Sequence, residues 1–302
     1  MKKLLHEAIL DRPLLGDGAM GTQLILAGLE QGGCGDAWNL THPDRVLAIQ
    51  RRYAEAGSEC IITNTFGASR IALNRHGEAG RVADINKAGV EIARQAFGAR
   101  DGYVLGDIGP FGGLMEPFGE FTADQVRLAF DEQAAALVES GADAIIVETQ
   151  TALEELALGI AAAQKAGAKC VIGSMAYDVS ADGSKLRTMM GVSPERAAKF
   201  MSEHGVHIVA LNCGAGMDMP HALLAVERYK SVTSLPVMVQ PNAGKPRLVE
   251  GKIVYDETPE QMVKGVRPLL EAGVSIVGAC CGTTPGHIRA FRTAIDEFLA
   301  SM

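Results

Sequence analysis

Eight short apolar runs constrain this 302-residue chain more than any other feature. Each is closed by a polar or turn-forming residue, and each is followed by a stretch of helical period. The runs are read as strands near Leu14–Asp17, Ile61–Phe66, Tyr103–Ile108, Ala144–Thr149, Cys170–Ala176, His207–Cys213, Pro236–Gln240 and Ser275–Cys280. Continuous rather than alternating apolar character suits parallel strands covered on both faces. Between the runs lie amphipathic stretches such as Ala123–Val138, which Thr122 is placed to cap. Helix-ending phrases recur at Gly57, Gly141, Gly167, Gly205 and Gly273, where glycine suits the first residue past a helix. Eight strand–helix units in a chain of this length predict an α/β fold, a (β/α)₈ TIM barrel. No Pro/Gly/Ser-rich linker or low-complexity segment interrupts it, so residues 1–302 read as a single domain.

Charge and cysteine usage narrow the function. A formal net charge of −8 and the lack of a basic run argue against nucleic acid as a partner. No apolar run reaches 18 residues, which argues against a membrane span. His6, Glu7 and Asp11 break up the start of the chain, so it does not read as a signal peptide. Six cysteines, two of them adjacent, do not resemble a secreted disulfide framework, and a cytoplasmic location is expected.

In such barrels, catalytic groups sit at the C-terminal ends of the strands. The polar residues at those ends are Asp17, Asn64, Asp107, Glu148, Asn212, Cys213, Gln240, Asn242, Cys280 and Cys281. Cys213, Cys280 and Cys281 form a soft anionic donor set that suits Zn²⁺ with one coordination position left for chemistry. Neighbouring residues of a strand face opposite ways, so Cys280 and Cys281 can share a metal only if the strand ends there and Gly282 turns the chain. Two small buried residues, or a vicinal disulfide, are the rival readings. Cys60 and Cys170 open their runs and read as core at the far end of the barrel, while Cys34 lies in a Gly-rich loop. Glu148 reads as a partner for a substrate ammonium, or else as a structural carboxylate paired with arginine. Gly16-Asp-Gly-Ala-Met-Gly21 matches a dinucleotide-binding pattern, yet Asp17 puts a carboxylate where a pyrophosphate needs donors. A turn of this kind can equally hold a carboxylate on its backbone N–H groups. His204 and His207 do not have the spacing of a helical zinc motif, and His207 reads as structural. Met189, Met190, Met217 and Met219 read as loop packing or as a flexible apolar rim.

Seven segments carry a resemblance: Asp17-Gly-Ala-Met-Gly-Thr22, Thr63-Asn-Thr-Phe-Gly67, Gly106-Asp-Ile-Gly-Pro110, Glu148-Thr149, Asn212-Cys213, Pro241-Asn-Ala-Gly-Lys-Pro246 and Gly278-Ala-Cys-Cys-Gly-Thr-Thr-Pro285. Over essentially its whole length the chain resembles the zinc-dependent homocysteine S-methyltransferase family. It is most similar to the N-terminal homocysteine-binding domain of cobalamin-dependent methionine synthase. The resemblance implies that Cys213, Cys280 and Cys281 ligate Zn²⁺ and that the thiol of homocysteine takes the fourth position as a zinc thiolate. It assigns Asn242 to the catalytic centre, as the group on zinc when substrate is absent. It further implies that Asp17 and Glu148 meet the substrate amino group, and that the N–H groups of Ala19 and Met20 meet its carboxylate.

The resemblance makes the chain a methyltransferase that forms methionine, and leaves the donor undetermined. Methylcobalamin or another corrinoid on a separate partner protein is the first expectation. A small onium donor (betaine, S-methylmethionine or another sulfonium) and reversed demethylation onto a corrinoid are the alternatives. A barrel with a structural or storage zinc and no catalysis is the reading from a different class.

Overall fold

The computed structural model describes residues 2–249 and 252–301. Its centre is an eight-stranded parallel sheet. The strands are β1 (Leu14–Leu15), β2 (Cys60–Ile62), β3 (Tyr103–Ile108), β4 (Ala144–Gln150), β5 (Val171–Met175), β6 (Ile208–Asn212), β7 (Val237–Gln240) and β8 (Ile276–Val277). Each falls within or beside one of the eight apolar runs. The hydrogen-bonded order is β1-β8-β7-β6-β5-β4-β3-β2, so the sheet curls until β1 faces β2. That seam lacks a regular ladder and is bridged otherwise. The Glu59 N–H donates to the Leu15 carbonyl at 2.7 Å, and the Ser58 hydroxyl donates to the Gly16 carbonyl at 3.0 Å. The Leu15 N–H donates to the Glu59 carboxylate at 3.2 Å, and the Ile62 N–H donates to Asp17 Oδ2 at 2.9 Å. The barrel is therefore nearly closed, with two carboxylates standing in for ladder carbonyls.

Helices α1 (Pro43–Glu55), α2 (Val82–Phe97), α3 (Ala123–Glu139), α4 (Leu153–Lys165), α5 (Pro194–Glu203), α6 (Met219–Lys230), α7 (Val266–Glu271) and α8 (Pro285–Ala300) follow the strands in turn. Thr122 caps α3 as its sequence predicts: its hydroxyl accepts the Gln125 N–H, and Gln125 returns a bond to the Thr122 N–H. The five helix-ending glycines all adopt positive φ. Among the described residues no helix is long and apolar enough to cross a membrane.

Parallel register sorts the side chains into two cores. Leu14, Cys60, Leu105, Ile146, Ile172, Ala210, Met238 and Ile276 belong to one buried cluster that fills the barrel. Leu5 and Ile9, from the short N-terminal helix and its end, join this cluster and plug its base. Cys60 and Cys170 belong here, as expected of residues that open their strands. The alternate residues, such as Ile61, Val104, Val147 and Val209, pack outward against the helices. One step further up, the inward positions become polar: Asp107, Glu148, Ser174, Asn212 and Gln240 are all buried. The barrel interior thus ends in a polar layer beneath the loops.

Three strands end well short of their apolar runs, and β2 stops at Ile62 instead of reaching Phe66. β1 ends at Leu15 and β8 at Val277, because Gly16 and Gly278 lie back to back: a Cβ on Gly16 would fall 3.0 Å from the Gly278 Cα. Past that point irregular bonds replace the ladder, with Ala279 N–H on the Asp17 carbonyl and Cys280 N–H on the Pro241 carbonyl.

Ile146 is fully buried within the barrel, so Ile146→Ala is expected to cost about 2–5 kcal/mol. A urea unfolding midpoint unchanged by this substitution would contradict the packing described.

Candidate metal and substrate centre

Cys213 follows the last residue of β6, and Cys280 and Cys281 lie three and four residues past β8. Leaving the sheet at Gly278 frees the pair from strand alternation, so both thiols can address one point. Gly282, at φ 81°, makes the turn and sits under Tyr255, where a Cβ would fall 2.3 Å from the tyrosine Cβ. Cys213 itself has φ 49°, and Gly214 beside it presses on the Tyr177 carbonyl so closely that a Cβ would lie 1.9 Å from that oxygen.

The three sulfurs lie within 4.8 Å of one another. Cys213 Sγ is 3.8 Å and Cys280 Sγ 3.9 Å from Cys281 Sγ, and no disulfide links them. Zinc–sulfur bonds of about 2.3 Å at tetrahedral angles put neighbouring sulfurs about 3.8 Å apart. The spacing therefore fits one tetrahedral metal ion and not a disulfide. Hydrogen bonds from Cys213, and then from Cys280, hold the Cys281 thiol down to about 3. Cys280, bonded first to Cys213 and also buried, is pushed well above the ordinary thiol range. The thiols thus share protons among themselves, and a divalent cation bound to them would displace those protons.

Asn242 supports the same reading. It is 1% exposed; its N–H donates to the Met217 carbonyl and its Nδ2 to the Gly214 carbonyl at 3.0 Å. Its Oδ1 is buried without a hydrogen-bond partner. This orphan oxygen beside the Cys213–Gly214 turn is an acceptor without a donor, and a metal ion would satisfy its lone pair.

The carboxylates gather at the same mouth. Asp17 is buried and its proton affinity is pushed up to about 8, mainly by burial, against the pull of the Ile62 N–H. Burial, and then the neighbouring Cys213, raises Glu148 to about 7, and Gln240 Nε2 donates to its Oε1 at 3.4 Å. No arginine pairs with Glu148, so the structural alternative for that residue finds no support among the described residues. Asp107, which sequence reasoning noted at a strand end but did not place in the site, is a third buried acid. Burial, then Glu148, raises it well above the carboxylate range, and its Oδ1 has no partner. Clustered acids with raised proton affinity and no basic partner suit a cationic ligand group.

Other expectations fare differently. The Ala19 N–H is already engaged by Thr283 Oγ1 at 3.0 Å. The donors that remain at this turn belong to Met20 and the next residues of the helix Met20–Leu26, whose first N–H groups have no partner within the helix. Met217 and Met219 are buried core residues, whereas Met189 and Met190 are exposed on the loop after β5. His207 Nδ1 accepts the Val171 N–H at the base of the barrel and is structural. The Gly16–Gly21 segment closes the β1–β2 seam and does not open a dinucleotide fold.

Asp17 keeps its proton to about pH 8 when folded and releases it near its ordinary value when unfolded. The folded state binds the extra proton between those values, so stability falls as pH rises from about 5 to about 8. In the metal-free protein, Asp17→Asn is expected to flatten that fall, because an amide oxygen still accepts the Ile62 N–H. Melting temperatures across this range check it; an unchanged slope would contradict the burial of an unpaired Asp17.

Residues 14–295 match the family described as homocysteine S-methyltransferase. The chain is 35% identical to a methionine synthase of Mycobacterium tuberculosis over 96% of its own length and 33% identical to that of Mycobacterium leprae. It spans about a quarter of the length of each of these relatives. The fold is similar to that of the homocysteine methyltransferase MmuM from Escherichia coli in its metallated form, with a TM-score of 0.76 at 21% identity, covering 95% of this chain and 98% of the other. With its family match running through every strand of the barrel, this chain belongs to the homocysteine S-methyltransferase family.

Proposed function

We propose that this chain is a zinc-dependent methyltransferase that places a methyl group on the thiol of homocysteine, giving methionine, with a methyl-corrinoid carried by a partner protein as donor. The observation that carries the reading is the cluster of Cys213, Cys280 and Cys281, spaced as ligands of one tetrahedral ion, beside the unpartnered Asn242 oxygen. Zn²⁺ bound there would hold a substrate thiol deprotonated at neutral pH, where a free thiol of pKa about 8.5 is mostly protonated.

The protein's own groups do the rest. Three cysteine sulfurs as donors leave a thiol bound beside them electron-rich; a histidine-rich set would suit activation of water better. Asp17 and Glu148 receive the ammonium of the amino acid, while the first turn of the helix at Met20 receives its carboxylate. Fixing the substrate at both ends aims its sulfur out of the barrel, and positioning of this kind supplies much of the acceleration. The sulfur–carbon bond forms as the donor–methyl bond breaks, and the donor leaves with that electron pair.

The rim of the mouth supports a large donor. Phe66, Leu114, Phe118, Met189 and Met190 are exposed on loops that follow barrel strands, and Leu248 is exposed on a short hairpin in the connection after β7. A corrinoid on a protein would cover such a rim; a small onium compound has no use for it.

Cys280→Ala is expected to abolish stoichiometric zinc and lower methionine formation by at least about 10³-fold, while the circular dichroism of the barrel persists. Retention of one zinc per chain would overturn the ligand assignment. Offered methylcobalamin, S-methylmethionine and betaine in turn, the zinc-loaded protein is expected to methylate homocysteine from methylcobalamin alone. Turnover with an onium donor instead would overturn the corrinoid part of the reading.

A further inference from the structure

Among the described residues, two non-glycine residues have positive φ: Thr149 at 57° and Cys213 at 49°. A β-branched residue in this region is a genuine outlier, and such strain persists only where the surroundings over-determine it. Thr149 lies on β4 and Cys213 directly after β6, 64 residues apart, and one side chain serves both. Asn212, fully buried at the end of β6, is joined by a peptide bond to Cys213 and reaches across to β4. Its Oδ1 accepts the Thr149 N–H at 3.1 Å and the Ser174 hydroxyl at 2.7 Å, and its Nδ2 donates to Thr149 Oγ1 at 2.6 Å. The backbone N–H of Thr149 can only donate, so the amide orientation is fixed by the network itself.

The clamp has consequences on both sides. On β4 the ladder to β5 shifts register between Val147 and Gln150, the segment that carries Glu148. On β6 the left-handed turn at Cys213 takes its thiol off the strand and toward Cys281. Glu148 and Cys213 thus both lie on backbone that this clamp holds.

We propose that Asn212 and Thr149 are positioning residues that lock the Cys213 thiol and the Glu148 carboxylate into one geometry, making the metal site and the ammonium site a single rigid unit. The inference rests on the zinc and homocysteine reading above, and it assigns a role toward the metal to a residue, Thr149, that lies on a strand carrying none of the cysteines.

The test is zinc affinity by competition with a chromophoric chelator, together with homocysteine affinity by calorimetry on the zinc-loaded protein. It compares wild type, Asn212→Ala, Thr149→Val and Thr149→Ser. The expected result is a loss of zinc affinity of about 10-fold to 100-fold in Thr149→Val and Asn212→Ala, the range typical when residues that orient a metal ligand from outside its shell are removed. Homocysteine affinity should fall alongside it, and Thr149→Ser, which keeps the hydroxyl, should recover both. Wild-type zinc affinity in Thr149→Val, or a melting temperature that drops while both affinities hold, would show a merely structural contact and overturn the proposal. Should Asn212→Ala fail to fold, the Val and Ser pair at position 149 decides alone. A wild-type protein that binds no zinc would overturn the metal reading itself, and with it any positioning role toward the metal.

Discussion

Closure of the barrel at the β1–β2 seam is the constraint on which the rest depends. Parallel strands that curl into a barrel bring all their C-terminal ends to one mouth, but here the last join is not a ladder. Asp17 completes it by accepting the Ile62 N–H, while its own carbonyl accepts the Ala279 N–H one residue before the cysteine pair. The same residue therefore fastens the seam through its carboxylate and, through its backbone carbonyl, is tied to the loop that presents Cys280 and Cys281. Burial cost at this position is tolerated because the closed barrel is what brings residue 17 within reach of residues 62 and 279.

From that closure the chemistry follows by charge. The mouth holds three thiols and three buried acids, Asp17, Asp107 and Glu148, and among the described residues no basic side chain acts on any of the acids. Left alone, such a site resists ionisation: burial raises the acids, and two of the thiols hold their protons. A divalent cation on the sulfurs and an ammonium on the carboxylates would relieve both. A thiol-bearing amino acid would fit both halves at once, its thiol as a ligand of the cation and its ammonium beside the carboxylates.

Much of this was legible in the sequence, and the reason is locality. Strands, helix caps and turn glycines are set by residues a few positions apart, and Cys280-Cys281-Gly282 announces a strand end and a turn within three residues. The β1 and β8 lengths were overestimated because the close approach of Gly16 to Gly278 joins opposite ends of the chain. The Asn212–Thr149 clamp spans 63 residues, and nothing in either local segment reveals it. Ala19 was expected to offer a free N–H, but Thr283, 264 residues away, takes it. Asp107 was visible as a polar strand end, yet only the register of β3 against β4 shows that it shares an inward layer with Glu148. Met217 and Met219 read either as packing or as an apolar rim, and only the three-dimensional packing places them in the core.

The central claim is that the three cysteines and one exchangeable position form a thiol-binding metal site. Zinc content with X-ray absorption at the zinc edge, taken before and after addition of L-homocysteine, tests it most directly. The account predicts one zinc per chain, with a shell of three sulfurs and one oxygen or nitrogen that becomes four sulfurs on adding the thiol. A protein that holds no zinc, or a shell indifferent to homocysteine, would contradict it.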